Sequence, residues 1–258
     1  MVTMFLETES PPELRYASCV AKKRNYGYHI RDPYPEVAIT AIRQFRPNII
    51  WFVGHGAPSF TTLRDEKLFI STSTPEDVIR DLFSGTVVVA VSCYTARELG
   101  FYVAKYAHAY FGAMDAYYFI INDDAGPCAQ NSVEGVRQEV MYNALVCAFE
   151  PTLTLVDALN AGYDVDTAYR VCMNKYDEFI SYFENLKPQT DAERSLRDLA
   201  LYVLNIDKRI WVMIKGTSPP RYPVISPFLT FLQLAGVVGI GMVFAGAIYP
   251  EKIKAEEG

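Results

Sequence analysis

Two uninterrupted apolar runs, Ile49-Ile50-Trp51-Phe52-Val53 and Val87-Val88-Val89-Ala90-Val91, constrain the fold of this chain more than any other feature. Both are rich in β-branched residues, bounded by Gly or Ser, and free of polar alternation. That is the pattern of a strand covered on both faces, as in a parallel sheet. Each run ends abruptly in a reactive side chain: Gly54-His55-Gly56 follows the first, and Ser92-Cys93 the second, with the cysteine 38 residues beyond the histidine. In open α/β sheets, the loops at the carboxyl ends of neighbouring strands converge on one crevice. His55 and Cys93 are therefore expected at strand ends, where an imidazole and a thiol can meet as base and nucleophile.

The surrounding pattern alternates strands with helices. Residues 2–6 read as a first strand, Ser10-Pro11-Pro12-Glu13 opens a helix running to about Arg24, and 26–30 form strand two. Ala38, Ala41, Ile42 and Phe45 recur at helical spacing over 35–46, and 57–73 read as a small hairpin. Thr74-Pro75-Glu76-Asp77 caps a further helix; 95–111, 117–121 and 210–214 supply another helix, another strand and a late strand. Residues 131–205 are largely helical, with caps expected at Asn131-Ser132-Val133-Glu134 and Thr190-Asp191-Ala192-Glu193. The implied fold class is α/β, a mostly parallel sheet flanked by helices.

Thr95-Ala96-Arg97-Glu98 has the form of a capping box, which would set Cys93 just before a helix N-terminus. The dipole there favours a thiolate, so the Cys93 pKa is expected below its ordinary value. Gly56 leaves its N–H open to close approach; with the Cys93 N–H it would supply two donors for an oxyanion.

The order apolar strand, His-Gly, about forty residues containing a helix, apolar strand, small residue and Cys resembles the caspase-like (clan CD) cysteine peptidases. Val53-Gly54-His55-Gly56 with Ser92-Cys93-Tyr94-Thr95-Ala96 is most similar to the gingipain and CHAT-type branches. The resemblance spans roughly residues 1–216, although only the two motifs are specific. It implies a caspase-like fold acting on a peptide or protein substrate. Cys93 would be the nucleophile, His55 the general base and acid, and the Gly56 and Cys93 amides the oxyanion hole. In several members the residue two before the nucleophile is polar or acidic, whereas here it is Val91. A basic substrate preference therefore does not carry over directly; Asp123 and Asp124, expected on the rim after the fifth strand, are the candidate substrate-binding acids.

The remaining residues narrow the function classes. His108 is expected near a helix end about 20 Å from Cys93, and His29 reads as an ordinary polar residue of strand two. With a formal charge of −6 and no basic cluster, a nucleic-acid partner is not expected. Of five cysteines, Cys19, Cys147 and Cys172 fall in helical patterns and read as small buried hydrophobes, while Cys128 lies on a loop after the fifth strand. Neither cofactor nor metal is expected: the Cys and His residues lack zinc-site spacing, and there is no Gly-rich phosphate loop.

The C-terminal segment poses a separate problem. No charge occurs over 222–250, and 224–249 are expected to form a single transmembrane helix, after a linker at 217–223 and before a short tail at 250–258. The pairs Ala235/Gly239 and Gly241/Ala245 would let such helices pack into a homo-oligomer within the bilayer. Lys208, Arg209, Lys215 and Arg221 precede the run, against Lys252 and Lys254 after it, so a single-pass topology with a cytoplasmic N-terminal domain follows. No cleavable signal pattern follows Met1. Two functions emerge from the sequence: a membrane-anchored cysteine endopeptidase, or a membrane-anchored binding or scaffold protein that keeps a peptidase-like fold without turnover.

Overall fold

The computed structural model describes residues 1–9 and 14–221. Six strands form the main sheet in the order β2 (Tyr28–Arg31), β1 (Thr3–Glu7), β3 (Ile49–Val53), β7 (Val87–Val91), β8 (Ala109–Ala113) and β9 (Trp211–Lys215). The first five run parallel, and β9 returns antiparallel to β8. Because successive side chains alternate between faces, every residue of β3 and β7 needs cover. On one face Phe5, Trp51, Val53, Val89, Val91 and Phe111 pack under α1 (Arg15–Ala21), α5 (Gln138–Val146), α6 (Glu150–Asn160), α7 (Val165–Asn185) and α8 (Asp191–Ile210). On the other, Met4, Leu6, Ile50, Phe52, Val88 and Tyr110 pack under α2 (Pro35–Phe45), α3 (Glu76–Phe83) and α4 (Leu99–Ala104). Leu63, Phe69 and Ile70 seal that second face; Phe69 and Ile70 belong to a small antiparallel sheet of β4 (Gly56–Ala57), β5 (Phe60–Thr62) and β6 (Leu68–Ser71), and Leu63 directly follows β5. The result is a mixed α/β fold with a mostly parallel sheet between two helical layers.

The sequence expectations need correction at four places. Residues 95–111 are not one helix. Tyr94 takes a left-handed φ of 61°, and the N–H groups of Ala96, Glu98 and Leu99 go to Ala113 O and Pro58 O. Only α4 is helical, while 109–113 join the sheet as β8 and 117–121 lie outside it. Asn131 caps no helix: α5 begins at Gln138, after a turn closed by Val133 and Val136. Cys19 is not an isolated buried hydrophobe but forms a disulfide with Cys128 across 109 residues, with Cα atoms 5.3 Å apart. The sulfur staples α1 to the 3₁₀ turn Pro127–Ala129.

The fourth correction concerns the fold class. Among the described residues, no helix is long and apolar enough to cross a membrane. α7 and α8, with 21 and 20 residues, have the length, but their solvent faces carry charges such as Arg170, Glu178, Arg194 and Arg197. The transmembrane helix expected over 224–249 lies outside the described residues, and among the described residues the class stands as mixed α/β without a membrane-spanning helix.

Candidate active site

Register brings the two motifs together. β3 and β7 are neighbours with Val53 opposite Val91, so the chain leaves both strands at the same edge of the sheet. Gly54 N–H donates to Val91 O at 3.2 Å, and buried Ser92 Oγ donates to Gly54 O at 2.6 Å. The His55 carbonyl then accepts from Thr62 N–H at 2.9 Å and Thr61 Oγ1 at 3.0 Å, which fixes the histidine backbone to β5. Gly56 is required by space: a Cβ there would lie 2.5 Å from Cys93 O, 2.6 Å from Thr95 Cγ2 and 3.0 Å from Ser92 Cβ. The histidine loop and the cysteine turn touch because this residue has no side chain.

His55 and Cys93 line one cavity of about 20 Å³, walled by Leu14, Val53, Val91, Tyr117, Phe119 and Phe149. That is room for roughly one water molecule. Gly56 and Thr61 face each other across the β4–β5 ladder with His55 O accepting from Thr62 N–H, so ladder alternation turns the Gly56 N–H away from β5. His29 and His108 are elsewhere. His29 contacts Glu7 Oε1 at 2.5 Å and Arg24 O at 2.9 Å, and His108 contacts Ser218 O at 3.0 Å at the opposite end of the sheet, before β8. Asp123 pairs with Arg15 at 2.8 Å; both it and Asp124 are exposed and neither lines the cavity. Among the described residues, no cluster of His, Cys, Asp or Glu is placed to hold a metal ion.

The thiol is not at a helix N-terminus. Thr95 Oγ1 donates to Ser92 O at 3.3 Å, and α4 starts only at Leu99 without a side-chain cap. Cys93 is half-buried instead, and burial pushes its thiol above the ordinary range. The Tyr117 backbone opposes that rise; Asp207 adds to it, the Cys93 amide opposes it, and Asp115 adds a further increment. The expected depression of the Cys93 pKa is thus reversed, because desolvation acts where a helix dipole does not.

Two contributors escaped the motif reading. Tyr117 reaches the sulfur through its main chain: its N–H donates to Sγ at 3.4 Å, and the thiol faces its O at 3.7 Å. No side-chain pattern reports such a contact. Asp207, fully buried on α8, accepts the next amide, Tyr118 N–H, at 2.9 Å. Here a signal existed, since Asp207 is an acid within the apolar stripe Ala200, Val203, Leu204 and Ile210.

No family model matches the chain, and no curated protein matches it. Among solved structures it is similar to the complex of Porphyromonas gingivalis RgpB pro- and mature domains, at 11% identity with a TM-score of 0.42 over 83% of this chain. The chain corresponds to 47% of that structure's length, so the likeness is to part of a larger molecule.

Proposed function

We propose that the chain is a cysteine peptidase in which Cys93 attacks a peptide carbonyl. The observation carrying this reading is the cavity shared by His55 and Cys93 at the carboxyl ends of adjacent parallel strands. Since burial holds the thiol protonated, attack needs a base at the moment of bond formation. His55 takes the Sγ proton as the carbon–sulfur bond forms, then delivers it to the departing amine. The Gly56 N–H and the Cys93 N–H stabilise the oxyanion. Water, deprotonated by His55, then cleaves the thioester, releasing the acid and restoring the thiol. Catalytic hydrogen bonds tighten when substrate binds.

The walls favour one class of substrate side chain in this reading. Leu14, Val53, Val91, Phe119 and Phe149 offer no counter-charge, so a small apolar side chain fits beside the nucleophile better than a basic one. Burial of the thiol supports the second reading, a binding protein without turnover, because a protonated sulfur is a poor resting nucleophile. A peptidyl electrophile ending in alanine separates the two. The peptidase reading expects stoichiometric labelling of Cys93, seen by intact mass, and its loss in His55→Ala; equal labelling of both proteins would leave binding as the function.

A further inference from the structure

A carboxyl placed in the apolar stripe of α8 is costly, because a buried charge without a partner costs several kcal/mol. Asp207 has 0% exposure; its Oδ1 accepts from Tyr118 N–H at 2.9 Å, and its Oδ2 is buried without a hydrogen-bond partner among the described residues. What that single bond holds is the segment after Met114, which lies outside the sheet and bears on the nucleophile. Tyr117 N–H and O face Cys93 Sγ at 3.4 and 3.7 Å, while the Tyr117 hydroxyl donates to Ala148 O and sits 3.0 Å from the Tyr176 hydroxyl. Asp207 therefore fixes the peptide whose carbonyl, Tyr117 O, faces the sulfur, next to the one whose N–H donates to it.

Among the described residues, no cation acts on the Asp207 carboxyl. The titratable groups that feel Asp207 are Cys93 across the 117–118 segment, Tyr117, Cys147 before α6, and Tyr176 on α7; Asp115 also acts on Cys93. All are acids. We propose that Asp207 is a positioning residue for the nucleophile, holding the Tyr117–Tyr118 backbone against Cys93 Sγ and opposing thiolate formation whenever its own carboxyl is charged. The proposal rests on Cys93 being the nucleophile. Burial pushes the Asp207 carboxyl well above the ordinary carboxylate range, with only the Tyr118 N–H opposing, so its charge develops at higher pH than that of an exposed aspartate.

The test compares Asp207→Asn and Asp207→Leu in the full chain by two readouts: the pH profile of Cys93 alkylation by iodoacetamide, and kcat and KM for an alanyl peptide substrate. Asparagine keeps an acceptor for Tyr118 N–H and removes the charge. It should retain kcat within about threefold and shift the alkylation profile to lower pH than wild type. Leucine removes the acceptor, and kcat should fall by about 10- to 100-fold with KM little changed, as for a misplaced reacting group. An asparagine variant with the wild-type alkylation profile, or one as impaired as leucine, would overturn the proposal, as would a leucine variant with wild-type kcat. If leucine does not fold, the asparagine profile decides alone. If wild type hydrolyses no peptide, the peptidase reading fails, and the alkylation profiles still decide whether Asp207 governs the thiol.

Discussion

Gly56→Ala tests the contact on which the site is built. A methyl group there would lie 2.5 Å from Cys93 O, whereas ordinary contact begins at 3.4 Å, so the histidine loop and the cysteine turn must part by about 0.9 Å. The obstructing atom is backbone, and the turn behind it is held by Ser92 Oγ on Gly54 O and by Tyr94 N–H on Asp115 O at 3.0 Å. Overpacking of this kind costs about 1–3 kcal/mol. For a domain of this size, that lowers Tm by about 2–12 °C. The functional loss should be larger, since a displacement of about 1 Å at reacting groups costs about 10²-fold. Calorimetry and kcat/KM on an alanyl peptide measure the two effects on the same preparation. A variant with unchanged Tm and unchanged kcat/KM would refute the close apposition of the loops.

Other expectations concern stability and the thiol. Glu193, with 1% exposure, is held to about 2 by the Arg137 guanidinium and the Gln189 and Arg137 amides, against 4.5 ordinarily. A lowered folded pKa contributes stability above pH 4.5 that is lost as pH falls towards 2, so Glu193→Gln should cost about 1–2 kcal/mol near neutrality after allowance for the half-exposed Arg137. Urea melts of the two proteins should converge at about pH 2, and a constant gap would contradict the assignment. Reducing Cys19–Cys128, or replacing both with alanine, should destabilise the fold by about 2–5 kcal/mol; a melt indifferent to reductant would remove the staple. Cys147 and Cys172 are fully buried, so iodoacetamide should modify Cys93 selectively and slowly at neutrality, accelerating above the ordinary thiol range of about 8.5. Fast modification at about pH 7 would show that burial does not control the sulfur.

The sequence made some of this legible for a physical reason. β3 and β7 are apolar at every position because both faces are covered, and such runs have few alternative readings. The neighbouring positions of His55 and Cys93 followed from that pattern. β8 was hidden because Ala109-Tyr110-Phe111-Gly112-Ala113 continues the helical spacing of the residues before it; the empty place between β7 and β9 decided its conformation. Tyr94 concealed the non-helical turn, since a tyrosine gives no sign of a positive φ. Without that turn, a capping box and a depressed thiol pKa were the natural reading of Thr95–Glu98. Cys19 and Cys128 are paired by tertiary folding across 109 residues, which no local spacing encodes. Asp207 was visible as an acid in an apolar stripe, but only the fold shows that its amide partner adjoins Cys93.

The most direct measurement of the central claim is hydrolysis of a quenched-fluorescent peptide library by wild type, Cys93→Ala and His55→Ala, with Cys172→Ala as a control thiol variant. Wild type and the control should cleave after small apolar residues. Cys93→Ala should lose activity completely, and His55→Ala should lose about 10²- to 10⁴-fold, the usual contribution of a general base. Turnover retained in Cys93→Ala, or wild-type protein that cleaves nothing while remaining folded, would contradict that claim.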